Sequence, residues 1–233
     1  MMAKSHMMMG ALAGAVFIPP VATVSGYDLP PLHYVVGIGL STAASLLPDL
    51  DHPDSLITKG KLKKSAPAAA KLAVGFLAAP ARAVGMASRA LGQHRGFTHS
   101  LLMLTVWSVL IVPLYALAFA GALLLFGGVV DMAAELLRLD IDGLTGGAIS
   151  AIPTWLLPVG ACVAIGYGSH LVADGCTISP QLMLWPLPRP CWILPAFLRF
   201  RTGSGTEQAV GAAAGVLLFV VVLWNLDLIG NLF

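Results

Sequence analysis

The sequence predicts an all-α, polytopic membrane protein, and three observations carry that prediction. Apolar residues make up 58% of the 233-residue chain and charged residues only 10%, against roughly 25% charged in soluble domains. Polar surface is therefore too scarce to cover a protein in water, and mean hydropathy is +0.86. Apolar runs recur at close to the ~20 residues that a spanning helix needs. The basic residues, finally, sort to one side of the topology those runs define. The length suits one integral domain over residues 1–233. Three cysteines without metal-type spacing argue against a disulfide framework or zinc knuckle. A formal charge of +2 gives no reason to expect nucleic-acid binding.

Residues 7–24 form the first run, with Pro19 and Pro20 expected to kink the helix or end it early. This run lacks the basic start and small-residue cleavage site of a secretory signal, so it is read as part of the mature protein. Residues 33–48 are apolar but short, as suits a crossing partly buried in protein. Residues 99–127, 150–173 and 209–232 complete an expected count of five crossings.

Between the second and third runs lies a loop, 49–98, expected to hold an in-plane amphipathic helix over 66–92. There Lys71, Arg82 and Arg89 fall on one helical face, and each would cost about 2.5–3.5 kcal/mol at the bilayer centre. The basic cluster at 59–64 either attracts anionic head groups or is an ordinary positive-inside loop. A second loop, 175–206, is too Pro-rich for a regular helix and holds Trp185 and Trp192, residues that favour the membrane–water boundary. With five crossings, 12 of the 13 Lys and Arg lie on the side of the N-terminus and both loops, and Arg138 alone lies opposite. The positive-inside rule makes the populated side cytoplasmic.

On that side the sequence gathers the residues of a metal site. Asp49, Asp51, His52 and Asp54 follow the second run. Asp and Pro also make ordinary turns, but three carboxylates and an imidazole within six residues exceed a turn's needs. Asp49 and Asp51 would point the same way from an extended stretch and repel unless a cation lay between them. His94, Arg95 and His99 precede the third run, with Gly96 letting the backbone turn sharply between the histidines. The plainer reading there is a helix start capped by Thr98 or Ser100. His170 and Asp174, four apart, share a helix face at the end of the fourth run. His6 alone is also consistent with an interfacial histidine, and Glu207 with a capping-box acid. His33, on the opposite side, is read as interfacial.

Mixed imidazole and carboxylate ligands suit zinc, manganese or iron and argue against a calcium cage or an iron–sulfur cluster. Nine candidate side chains are too many for one four-coordinate ion and suit two or three. Such a centre lowers the pKa of water towards 7 and clamps both oxygens of a phosphoryl displacement, so hydrolysis of a phosphoester is the expected chemistry. Arg95 and Arg201 would steady the anionic substrate, and a phospholipid or lipid-linked phosphoester fits a site at head-group depth. Two other classes compete. A transporter would place ionisable residues near mid-membrane, where these runs have almost none; a metal-stabilised scaffold would close its coordination sphere.

The strings LLPDLDHPDS (46–55), GQHRGFTHSLL (92–102), GYGSHLVADGCTISPQLMLWPL (166–187) and RTGSGTE (201–207), with His6 near the start, stand in the order and spacing of the YdjM-like family. The chain resembles these bacterial inner-membrane metal-dependent hydrolases over most of its length. The family is described as LexA-binding, a description that does not imply DNA or LexA contact here. The family is distantly similar to zinc-dependent phospholipase C and single-strand nucleases, which use three zinc ions. The resemblance implies His6, Asp49, Asp51, His52, His94, His99, His170, Asp174 and Glu207 as metal ligands and a bacterial inner-membrane location. Those enzymes are soluble and secreted, so their substrates do not carry over.

Overall fold

The computed structural model describes residues 2–52, 95–114, 116–117, 120–121 and 144–228, with backbone alone at 51 and 144–155. The expected amphipathic helix over 66–92, the basic cluster 59–64, Asp54 and His94 lie outside the described residues. Among the described residues the chain is helical, with two isolated bridges in the 175–206 loop and no extended strand.

Helix α1 spans Ala3–Ser25 and passes through Pro19 and Pro20 rather than stopping at them. The prolines remove the N–H donors that would reach the carbonyls of Ala15 and Val16, and side chains supply donors to the first of these: Tyr34 OH donates to Ala15 O at 3.0 Å and Asn225 Nδ2 at 3.1 Å. Such substitutes let apolar helices tolerate proline. The helix ends at Gly26, whose φ of 66° is readily adopted without a Cβ, and Tyr27 N donates back to Ala22 O at 2.9 Å.

Helix α2 spans Pro31–Ala44, opening on a proline whose missing N–H costs nothing there. Its 14 residues measure about 21 Å, short of a ~30 Å hydrocarbon core. Tyr34, Gly37, Ser41 and Ala44 form its buried stripe. Helix α3 runs over Leu101–Leu114, wound as a π helix at Val106–Ile111. The Ser100 hydroxyl caps it by accepting from Met103 N at 3.1 Å. Helix α4 spans Leu144–Gly175 and α5 spans Gly205–Asn225, the latter starting earlier than the apolar run because Ser204 caps it. Three helices, α1, α5 and the Leu156–Gly175 part of α4, are long and apolar enough to cross a membrane.

Helices α1, α2 and α4 pack on one another, and α5 packs on α1. Where the first three meet, side chains are small. Ser41 Oγ donates to Gly10 O (2.9 Å), bonding α2 to α1, and a Cβ on Gly166 would stand 2.0 Å from Ser41 O. Close backbone approach of this kind substitutes for the hydrophobic drive that helices lack in lipid. One apolar cluster joins Leu50, Met103, Trp107, Tyr167 and Leu171 near the site; another joins Ala15, Ile18, Tyr34 and Cys162.

A polar knot ties α1, α2 and α5 within the second cluster. Tyr34 OH donates to Ala15 O (3.0 Å) and accepts from Asn225 Nδ2 (2.9 Å), which also donates to Ala15 O (3.1 Å). Tyr34→Phe is expected to destabilise the protein in detergent by about 1 kcal/mol, and a double-mutant cycle with Asn225→Ala should show the losses to be coupled.

Candidate metal centre

Five elements deliver the site's side chains to one end of the helix bundle. His6 comes from the first turns of α1, Asp49 from the 3-10 turn Pro48–Asp51 after α2, and His99 from the 3-10 turn Phe97–His99 before α3. His170 and Asp174 come from the last turns of α4, and Arg95 from the turn preceding Phe97. His99 Nε2 lies 3.7 Å from Asp49 Oδ1, so the two ends of the 53–94 stretch sit at the same end of the bundle.

The distances describe a tight, nearly dry cluster. His170 Nε2 stands 3.2 Å from His99 Nε2, 3.7 Å from Asp49 Oδ1 and 3.6 Å from Asp174 Oδ2. His99 Nε2 is 3.5 Å from Asp174 Oδ2, and His6 Nε2 is 3.3 Å from Asp174 Oδ1. The His6 ring stacks on His170 with centroids 3.6 Å apart. His6, His99 and His170 are wholly buried and Asp174 is 1% exposed. Among the described residues His6 Nδ1 has no hydrogen-bond partner and Nε2 has only the approach to Asp174, an expensive state for a buried polar group that lacks a further ligand.

Two rings are aimed by neighbours that point Nε2 inwards. His170 Nδ1 meets Ser45 O at 2.6 Å, which makes Nδ1 the protonated nitrogen and leaves Nε2 as the ligand lone pair. Thr98 Oγ1 lies 3.1 Å from His99 Nδ1, and Thr98 O in turn accepts from the Tyr167 hydroxyl. Partners of this sort fix ring orientation at metal sites.

Electrostatics follow from the packing. Burial alone would push the Asp49 carboxyl up, but its bond with His99 and the imidazoles around it hold it well below the usual carboxylate range. His99 shows the converse. Burial disfavours its charge, yet bonds to Asp174 and Asp49 raise it above an ordinary imidazole. The two carboxylates thus create a place for positive charge.

Arg95 supplies some of that charge. Its Nη2 lies 3.1 Å from Asp174 Oδ2, and Nη1 donates to Thr177 Oγ1 (3.1 Å) and Ser179 O (3.0 Å). The expected sharp turn falls on Arg95 itself, at φ 69°, while Gly96 has φ −93°. Holding a non-glycine residue in the left-handed region costs of order 1 kcal/mol, sustained here by the three contacts of its guanidinium. Arg95→Gln is expected to cost about 2–3 kcal/mol by leaving Asp174 less compensated, a difference that thermal unfolding would measure.

The remaining sequence candidates lie elsewhere or are occupied. Glu207 is buried, but its Oε2 accepts from Gly203 N (2.6 Å) and its Oε1 from Met2 N (2.5 Å), tying α5 to the start of α1 in the manner of a capping acid. His52 is half-buried, and its N–H closes the turn onto Asp49 O. It is in neither of the groups whose ligand atoms converge. Arg201 is exposed beyond the last bridge of the loop. The backbone of Asp51 completes the Pro48–Asp51 turn, and its side chain is outside the described residues, as is His94. His33 pairs with Tyr27 OH at 3.0 Å. Ser45 escaped the sequence reading because it acts through its carbonyl, which carries no side-chain signature. Thr177 escaped because its role depends on Arg95, distant in sequence.

Two groups meet the requirements of a cation site, His6–Asp49–His170 and His99–His170–Asp174, each with ligand atoms within 4.8 Å of one another. Together with helices long and apolar enough to cross a membrane, they define an all-helical membrane protein with a buried His/Asp centre that suits a metal ion. The chain belongs to the family described as YdjM inner membrane protein, which matches it over residues 1–230. No match was found among curated proteins or solved structures.

Proposed function

We propose that the chain is a membrane-bound, metal-dependent hydrolase that cleaves a phosphoester at the cytoplasmic face of the inner membrane. The observation that carries this reading is the convergence of His6, Asp49, His99, His170 and Asp174, with nitrogen and oxygen atoms 3.2–3.7 Å apart. The buried His6 ring, whose one polar contact among the described residues is the 3.3 Å approach of Nε2 to Asp174, and the mixed donor set fit zinc or manganese. These five residues would hold the ion. Both groups draw on Nε2 of His170, so they are overlapping seats for one ion, and the expected second or third ion needs ligands from beyond this cluster.

When bound, the metal supplies a Lewis acid and lowers the pKa of water for attack on phosphorus. The protein's own groups do the rest. Ser45 and Thr98 hold two imidazoles in the liganding orientation, and Arg95 aims Asp174 and places a cation where an anionic phosphoester would enter. The five-crossing topology and cytoplasmic orientation rest on the distribution of Lys and Arg, with α2 and α3 as the two shorter crossings.

A lipid substrate follows from a site at the helix ends, at head-group depth. Detergent-purified, metal-loaded protein is expected to cleave a phospholipid or polyprenyl phosphate. Cleavage of soluble phosphodiesters with no action on lipids would remove the lipid assignment and leave the hydrolase; no turnover of either would favour the transporter or scaffold reading.

A further inference from the structure

We infer that residues 184–201 form a docking surface for anionic lipid head groups beside the His/Asp centre. The segment leaves and returns to the end of α4: Ile193 N donates to Gly175 O (2.8 Å), and bridges pair Gln181 with Cys191 and Thr177 with Phe200. Between these anchors it turns apolar side chains outward. Phe197 is 84% exposed, Leu187 and Leu198 each 54%, and Ile193 43%. Such exposure is expected on a spanning helix, but this segment is not one. It joins the ends of α4 and α5, two helices suited to crossing the membrane, and so lies at the bilayer boundary.

Its charge selects the kind of surface it meets. Arg189, Arg199 and Arg201 fall in this stretch, and no Asp or Glu occurs between Asp174 and Glu207. Arg199 is fixed over the Trp192 ring (4.3 Å to the centroid), and its Nε donates to Leu194 O at 2.8 Å. That contact props the indole, whose Nε1 donates to Ile178 O at 3.3 Å. Arg189 and Arg201 remain exposed. Apolar side chains flanked by arginines, in a loop that carries no acid of its own, match the acyl–head-group boundary of an anionic leaflet, where acyl chains and phosphates lie side by side.

The test uses the full chain in nanodiscs, with a fluorophore on Phe197→Cys and serine at the two half-buried cysteines, Cys176 and Cys191. The label should be quenched by brominated lipid and shielded from iodide, more strongly with phosphatidylglycerol than with pure phosphatidylcholine. Arg189→Gln and Arg201→Gln should each reduce the preference for co-purified phosphatidylglycerol about fivefold. Full iodide quenching in both lipids, with none by brominated lipid, would overturn the proposal and point to water or a protein partner. Lipid quenching indifferent to phosphatidylglycerol and to the arginines would overturn the anionic selectivity. Neither readout involves metal or turnover, so the result stands apart from the hydrolase reading.

Discussion

Asp174→Asn should abolish metal retention while leaving the helices in place. The substitution changes almost no volume, but it removes the charge that stands within 3.1–3.6 Å of Arg95, His6, His99 and His170. A carboxylate oxygen offers a hard anionic ligand, and an amide does not. Loss of a supporting neighbour of a ligand typically costs 10–100-fold in metal affinity, so loss of the ligand itself should cost about 100-fold or more. His170→Ala should match it, since both candidate groups depend on His170. Isothermal titration with zinc and manganese, with helix content followed in parallel, separates this outcome from unfolding. Unchanged affinity in both variants would remove these residues from any metal site.

The second large effect is expected far from any ligand. Gly166→Val should destabilise the protein by about 3 kcal/mol, because even its Cβ would collide with the Ser41 carbonyl on α2 at 2.0 Å. No rotamer relieves a clash at Cβ, so α2 must move away from α4. That movement would carry Ser45 off His170 Nδ1, now 2.6 Å away, and Asp49 off His170 Nε2. Gly166→Val is thus expected to weaken zinc binding as well as thermal stability, whereas Gly39→Ala, with open space around its Cβ, should change neither by much. Equal behaviour of the two variants would contradict the packing account.

Much of the site was legible because charge is so rare in this chain. Asp49, His99, His170 and Asp174 stood out against apolar runs, and the alternation of those runs put them at one end. The helix spacing of His170 and Asp174 held, as both line the last turns of α4. His6 was weaker in sequence, since one histidine near a helix start has many uses; its significance lies in stacking on a residue 164 positions away. Glu207 looked the same as a ligand or a cap, because Ser204 three residues earlier supports either reading, and only its bonds to Gly203 and Met2 separate them. Element ends were less legible. Apolar periodicity cannot register that Tyr34 and Asn225 satisfy the Ala15 carbonyl that Pro19 leaves without a donor, nor that the Ser204 cap starts α5 before its apolar run. Nor can a local motif show that Arg95 rather than Gly96 takes the left-handed turn, because the contacts that sustain it reach to Asp174, Thr177 and Ser179.

The central claim is that the His/Asp cluster holds a metal ion, and elemental mass spectrometry on protein purified in mild detergent without chelator tests it most directly. At least one zinc or manganese ion per chain, absent from Asp174→Asn prepared in the same way, is the predicted result. A metal-free wild-type protein that also fails to take up zinc or manganese on reconstitution would contradict it.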